Sequence, residues 1–191
     1  MYSFALFLVL SCTMLIADVQ GQSMEKVFVV NENTDIPKTF AERFLPMWQR
    51  AKTYTLDVAE AMPGEQYNYR PAEGVMTFQE HLLHLVKNFA ALQAYVSGDR
   101  DTPLHHLPLE NLNKRETIEA VTQAFDFVTA LIEKTPDNEL KEKVDDFFAK
   151  EAYMDKQGIF ELMRNHCTHH RGALVIYLRM HGVQPPRYKG W

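Results

Sequence analysis

The chain has 191 residues, of which 46% are hydrophobic and 24% are charged, and its formal net charge at pH 7 is −5. This composition is typical of one globular domain and excludes collagen, low-complexity disorder and a membrane protein with several spans. The acidic balance leaves no excess of cations for the phosphates of DNA or RNA, so we expect no nucleic acid among the partners. Two cysteines are too few for a disulfide framework, and a chain of this length can bury a core without one.

The first 21 residues are predicted to be a secretory signal peptide. Residues 4–17 form an apolar run that is too short for a stable membrane span, which needs about 20 residues. We therefore expect cleavage after Gly21 and export, either to the periplasm or out of the cell. Two alternatives stay open, namely a buried N-terminal helix and lipoprotein processing with an anchor at Cys12. Residues 22–43 show little periodicity and are predicted to be an extended lead-in.

Residues 44–191 contain four stretches with the apolar periodicity of amphipathic helices. The first helix is predicted to begin near Pro46, because proline is tolerated in the first turn of a helix. The second is predicted to begin after Thr77, since Thr77 and Glu80 have the spacing of a capping box, and to end at Gly98.

The third and fourth helices have equally clear end signals. Asn113 is a plausible N-cap for the third helix, and Pro136 closes it. The fourth helix is predicted to begin near Asp155 and to end before Gly182, which suits the residue just past a helix end. No strand pattern of comparable length appears. The fold class is therefore predicted to be all-α, an antiparallel-type four-helix bundle that forms one domain over residues 44–191.

Two histidines of the fourth helix have the spacing of a metal site. His166 and His170 are four residues apart, so on a helix their directions differ by about 40° and they lie one turn apart. Both occupy positions of the apolar stripe and are predicted to point into the bundle. A metal ion would give one nitrogen of each buried ring a partner. The alternative is two core histidines that bond to carbonyl or carboxylate oxygens.

A third ligand would have to come from another helix, and the second helix offers His81 and His84. His81 lies roughly 60° from the centre of the apolar stripe and His84 about 120° from it, so helix geometry slightly prefers His81. Periodicity alone does not decide between the two.

Several short motifs of this chain, taken in order, resemble the DinB family. They are Thr77-Phe78, His84-Leu85-Val86-Lys87-Asn88, His166-Cys167-Thr168-His169-His170-Arg171-Gly172, Tyr177-Leu178-Arg179 and Gly182-Val183-Gln184-Pro185-Pro186. The resemblance extends from about Phe44 to the last residue. It implies a four-helix bundle and a divalent metal held by three histidines, which by position are His84, His166 and His170. It thus overrides the geometric preference for His81, which stays the alternative ligand. Ala173 departs from the pattern, because relatives often carry Gln or Asn there.

The resemblance also implies a class of chemistry. Three neutral histidines with an open coordination position are typical of a catalytic metal site, where a water or a thiolate can bind. Relatives in the wider superfamily are similar to metal-dependent thiol S-transferases and to a thiol-dependent maleylpyruvate isomerase. We therefore expect a metal-dependent hydrolase or thiol S-transferase with a small-molecule substrate, and a non-catalytic metal-binding or stress-related bundle is the alternative. Zn, Ni, Fe and Mn all accept imidazole ligands, so the metal stays open. A homodimer formed through an exposed helix face is a further expectation, although no residue pattern requires it.

Other polar residues near these motifs have simpler interpretations. His169 is predicted to be solvated or to pack against its neighbours, and Cys167 to be a small buried side chain. Arg171 and Arg179 are expected to form ion pairs with neighbouring helices. Three carboxylates are candidates for supporting a metal-bound histidine through its outer nitrogen, namely Glu80, Asp155 and Glu161.

Overall fold

The computed structural model describes residues 38–145 and 153–189 of the chain. In these ranges the regular structure is helical, and the only strand-like pairing is an isolated bridge between Lys143 and Asp155. The helices are α1 (Phe40–Ala61), α2 (Phe78–Ser97), α3 (Lys114–Lys134) and α4 (Lys156–Met180). The predicted all-α class with four helices is thus confirmed. The predicted signal peptide and residues 22–37 of the lead-in lie outside the described residues.

Three of the four helices begin where local capping signals place them. Thr77, Asn113 and Asp155 are the N-caps of α2, α3 and α4, and each side chain accepts a hydrogen bond from a free backbone amide in the first turn. Gly98 and Gly182 follow α2 and α4 with φ of 75° and 69°, a left-handed conformation that favours glycine. These predicted boundaries are confirmed.

The predicted start of α1 near Pro46 is wrong, because the helix begins at Phe40. Thr39 and Glu42 form a complete capping box there, and Phe40 and Phe44 extend the buried stripe of the helix. Pro46 lies inside the helix with its side chain exposed, so the hydrogen bond that proline cannot donate is missing on the solvent side. Residues 40–43 therefore belong to α1 and not to an extended lead-in.

The helices pack so that α1 and α2 lie across the bundle from each other. Each of them packs against both α3 and α4, which separate them. The core on the α1 side is aromatic. Trp48 is fully buried between Phe89 and Phe125, with ring centroids 5.2 and 4.9 Å away, and its indole nitrogen donates a hydrogen bond to the Phe125 carbonyl. This arrangement brings α2 and α4 together as neighbours although α3 separates them in the sequence.

Within residues 38–145 and 153–189, no helix combines the length and the apolar character needed to cross a bilayer.

Candidate metal centre

Three histidine rings meet where α2 packs against α4. His84 comes from α2, and His166 and His170 come from successive turns of α4. The Nε2 atom of His166 lies 3.0 Å from Nε2 of His84 and 3.0 Å from Nε2 of His170. One nitrogen from each ring can be chosen so that all three lie within 4.8 Å of one another. His170 is buried, with 6% of its surface exposed, whereas the other two rings are half-buried.

The chemistry of these three nitrogens fits a single cation. A neutral imidazole carries one N–H and one lone pair. One N–H···N hydrogen bond can therefore join two of the three facing nitrogens, and the third nitrogen has no hydrogen-bond partner within the cluster. A cation between them would accept all three lone pairs. For tetrahedral zinc with Zn–N bonds of 2.0–2.1 Å, the ligand nitrogens would be about 3.4 Å apart, close to the two distances of 3.0 Å from Nε2 of His166. The three histidines could therefore hold a metal ion.

The surroundings keep these imidazoles neutral, which is the form that binds metal. Burial lowers the pKa of His84, and the positive charge of Lys87 lowers it further. Burial is the largest cause that lowers the pKa of His166, and the neighbouring His84 and His169 lower it further. Burial and then His166 lower the pKa of His170 to about 3. Protons therefore compete weakly for this site at neutral pH.

His81 lies against the outer side of the cluster. Its Nδ1 is 2.8 Å from Nδ1 of His170, which is the ring nitrogen that does not face His166. Its Nε2 is 3.4 Å from the hydroxyl of Tyr177, and that hydroxyl donates a hydrogen bond to the backbone carbonyl of Met76 at 2.9 Å. The structure thus groups His84 with the two α4 rings and places His81 behind one of them.

The geometric preference for His81 came from the position of the apolar stripe on α2. That stripe marks the direction of the whole core, and α2 faces both α3 and α4. A residue far from the centre of the stripe can therefore point directly at one of these neighbours. His84 does so towards α4, and no pattern within α2 alone could have shown this.

The remaining polar residues of α4 have other surroundings. His169 is exposed and Cys167 is buried, as predicted. Burial raises the pKa of the Cys167 thiol, whose sulfur lies 3.3 Å from the Thr55 hydroxyl. The expected ion pair of Arg171 is wrong. Among the described residues its guanidinium bonds to the Ala51 carbonyl and to hydroxyl groups, and no carboxylate lies within ion-pair distance.

None of the three candidate carboxylates hydrogen-bonds a ring of the cluster in the described structure. Glu80 accepts from the Thr77 amide and pairs with Arg70, and Asp155 caps α4. Glu161 accepts a hydrogen bond from the amide of Gln157. The group that does meet a ring from outside is His81. The only sequence signal for it was its place one turn before His84.

An open cavity of about 530 Å³ lies beside the cluster. His84 forms part of its wall, so the cavity and the histidine cluster share a residue. Its size is within the range of about 300–1,000 Å³ that is usual for small-molecule sites. Its lining combines apolar and charged side chains, among them Val75, Met76, Leu83, Lys87 and Leu109.

The model of the DinB family matches residues 31–190. The chain belongs to the DinB family. It is 23% identical over 136 residues to the uncharacterized protein YjoA of Bacillus subtilis, which corresponds to 69% of this chain and 84% of that protein.

Two crystal structures of DinB-like proteins share the fold. The structure of YjoA from Bacillus subtilis has a TM-score of 0.61 at 21% identity and covers 77% of this chain and 97% of its own. A DinB-like protein from Bacillus cereus also has a TM-score of 0.61, at 20% identity, and covers 80% of this chain and 99% of its own. The resemblance stated from the sequence motifs is thereby confirmed for family and fold.

Proposed function

We propose that this DinB family protein binds one divalent cation through His84, His166 and His170 and uses it in an enzyme active site. The observation that carries this proposal is the convergence of three neutral ring nitrogens from two helices on a common point. A divalent cation on three histidines keeps an open position and supplies Lewis acidity, which lowers the pKa of a bound water or thiol. The reaction class that follows is hydrolysis or thiol transfer.

The proposed substrate site is the cavity beside His84. Because His84 belongs both to the cluster and to the cavity wall, a small molecule in the cavity would lie next to the cation. Apolar side chains of the wall would pack against its body. Cys167, the cysteine of the described residues, is not the nucleophile, because it is fully buried and its sulfur contacts Thr55. The nucleophile would therefore be water or a thiol from solution.

A second candidate is a metal-binding bundle without turnover. One observation favours it, namely that no carboxylate of the described residues hydrogen-bonds the three rings, and that Glu80, the carboxylate of the cavity wall, already accepts from the Thr77 amide and pairs with Arg70. The exported location, a homodimer and the absence of a nucleic-acid partner stay predictions of the sequence.

Metal content tests the first step of the proposal. We expect elemental analysis of the purified protein to find close to one divalent ion per chain and to identify it. His166→Ala and His170→Ala remove two converging nitrogens and should abolish binding, whereas His106→Ala changes an exposed histidine outside the four α-helices and should retain it. An empty wild-type protein after growth in metal-replete medium would contradict the proposal.

Turnover separates the two candidates. The metal-loaded protein would be assayed with ester and amide substrates and with electrophiles in the presence of small thiols, each with and without a chelator. Activity that the chelator removes, and that His170→Ala lacks, supports the enzyme. A fully loaded protein without chelator-sensitive turnover on any of these substrates favours the non-catalytic bundle.

A further inference from the structure

Behind the three-histidine cluster, a chain of hydrogen bonds runs away from the proposed metal position. It links His170, His81, Tyr177 and the backbone carbonyl of Met76 through distances of 2.8, 3.4 and 2.9 Å. Among the described residues, His170 is the only ring of the cluster with a hydrogen-bond partner at its outer nitrogen.

The last member of this chain fixes the direction of every bond in it. A backbone carbonyl can only accept, so the Tyr177 hydroxyl must use its single proton towards Met76. The hydroxyl oxygen is then an acceptor for His81, whose Nε2 must carry the proton. In a neutral imidazole the other nitrogen is an acceptor, so Nδ1 of His81 presents a lone pair to His170.

The tautomer of His81 in turn determines the tautomer of His170. His170 must donate its Nδ1–H to His81, which leaves the lone pair on its Nε2. That Nε2 is the atom 3.0 Å from Nε2 of His166 and thus faces the cluster. We propose that His81 is a positioning residue which, anchored through Tyr177 on the Met76 carbonyl, holds His170 in the tautomer and ring orientation that bind the cation.

This inference deepens the proposed function and rests on it. Metal-bound histidines usually donate their other N–H to a carboxylate, a carbonyl or water, and loss of such a partner typically costs about 10- to 100-fold in metal affinity. Here a second imidazole would fill that place. His81 itself is then not a ligand, because it hydrogen-bonds Nδ1 of His170, whereas Nε2 of that ring faces His166.

The test compares Zn²⁺ affinity, measured by competition with a chelator, in four forms of the protein. His81→Phe keeps an aromatic ring but removes the acceptor, and we expect the Kd to rise by about 10- to 100-fold. His81→Asn places a side-chain oxygen near the position of Nδ1 and should restore most of the affinity. The control is His106→Phe, at an exposed histidine that hydrogen-bonds Asp101 and lies outside the four α-helices, and it should stay within about twofold of wild type.

A second readout does not depend on metal. Nuclear magnetic resonance of labelled imidazole nitrogens in the metal-free protein should find the proton of His170 on Nδ1, and in His81→Phe a mixture of both tautomers. A wild-type His170 protonated on Nε2 would overturn the proposal, as would a His81→Phe variant that binds Zn²⁺ as tightly as wild type. If the wild-type protein binds no metal, the proposed function fails, and the tautomer measurement still decides the role of His81.

Discussion

At the scale of residues, the histidines between α2 and α4 are held in an environment that opposes their protonation. Burial is the largest cause for all four rings, and charge on one ring would disfavour charge on the next. The effect is greatest for His170, which is buried and whose ring contacts four other imidazoles. The same environment therefore favours metal binding and makes the metal-free protein sensitive to acid.

We expect the metal-free protein to lose stability as the pH falls below about 6.5. The pKa of His170 is about 3 in the folded state against 6.5 when unfolded, so between these values the unfolded state binds more protons and acidification favours it. Protonation of this ring in the unfolded state would by itself lower the free energy of unfolding at pH 5 by on the order of 2 kcal/mol relative to pH 7 or above. Urea unfolding in the presence of a chelator at both pH values measures the difference.

The control for this pH effect is His170→Gln, which cannot be protonated. It should show a smaller loss of stability than wild type between pH 7 and pH 5. An equal loss in wild type and in His170→Gln would show that groups elsewhere cause the acid sensitivity.

Sequence spacing could predict part of the site at this scale. His166 and His170 share one helix, and helix geometry fixes their relation whatever lies around them. The choice between His81 and His84 depends on the angle at which α2 faces α4, and that angle depends on packing. The resemblance to the DinB family predicted His84 as the third ligand, because a family motif reflects which residues meet in the folded protein, and helix periodicity does not.

At the scale of elements, the helices of this protein are bounded by strong local signals. Capping boxes stand at the starts of α1, α2 and α3, and an aspartate caps α4. Only α1 was misplaced, because Pro46 was interpreted as a first-turn proline although a capping box stands upstream at Thr39. An exposed proline inside a helix costs free energy, but the buried aromatic residues Phe40 and Phe44 offset this cost by lengthening the packed stripe.

Two substitutions should have opposite effects on stability if α1 begins at Phe40. Thr39→Ala removes the N-cap and should lower the free energy of unfolding by about 1 kcal/mol. Pro46→Ala restores a helix donor and should raise it by about 1–3 kcal/mol. Denaturant titration measures both. Pro108→Ala, at an exposed proline outside the helices, is the control and should change it by less than about 1 kcal/mol. If Pro46→Ala does not raise the free energy of unfolding, the helix begins later than Phe40 and Pro46 lies in its first turn.

At the scale of the whole molecule, the proposed metal centre joins helices that are distant in the sequence. His84 and His166 are separated by α3, and their helices meet only because α1 and α2 lie across the bundle from each other. A cation on both helices would therefore stabilise tertiary structure as well as supply chemistry.

Export is predicted from the first 21 residues of the sequence. In a host that secretes proteins, we expect the predicted signal peptide to be removed after Gly21, which leaves 170 of the 191 residues. Intact mass and N-terminal sequencing of the exported protein check this. A lipid-modified chain that begins at Cys12 would favour the lipoprotein alternative, and a full-length chain of 22.2 kDa confined to the cytoplasm would contradict export.

The four helices, most of their ends and the shared helix face of His166 and His170 could be predicted from the amino-acid sequence. These features depend on contacts within about four residues, which a linear pattern contains. Tertiary structure decided that α2 lies beside α4, that His84 completes the cluster and that His81 supports it from behind. Those relations depend on how buried surfaces fit together over long sequence distances, and helix periodicity gives only the direction of a core, not the neighbour that fills it.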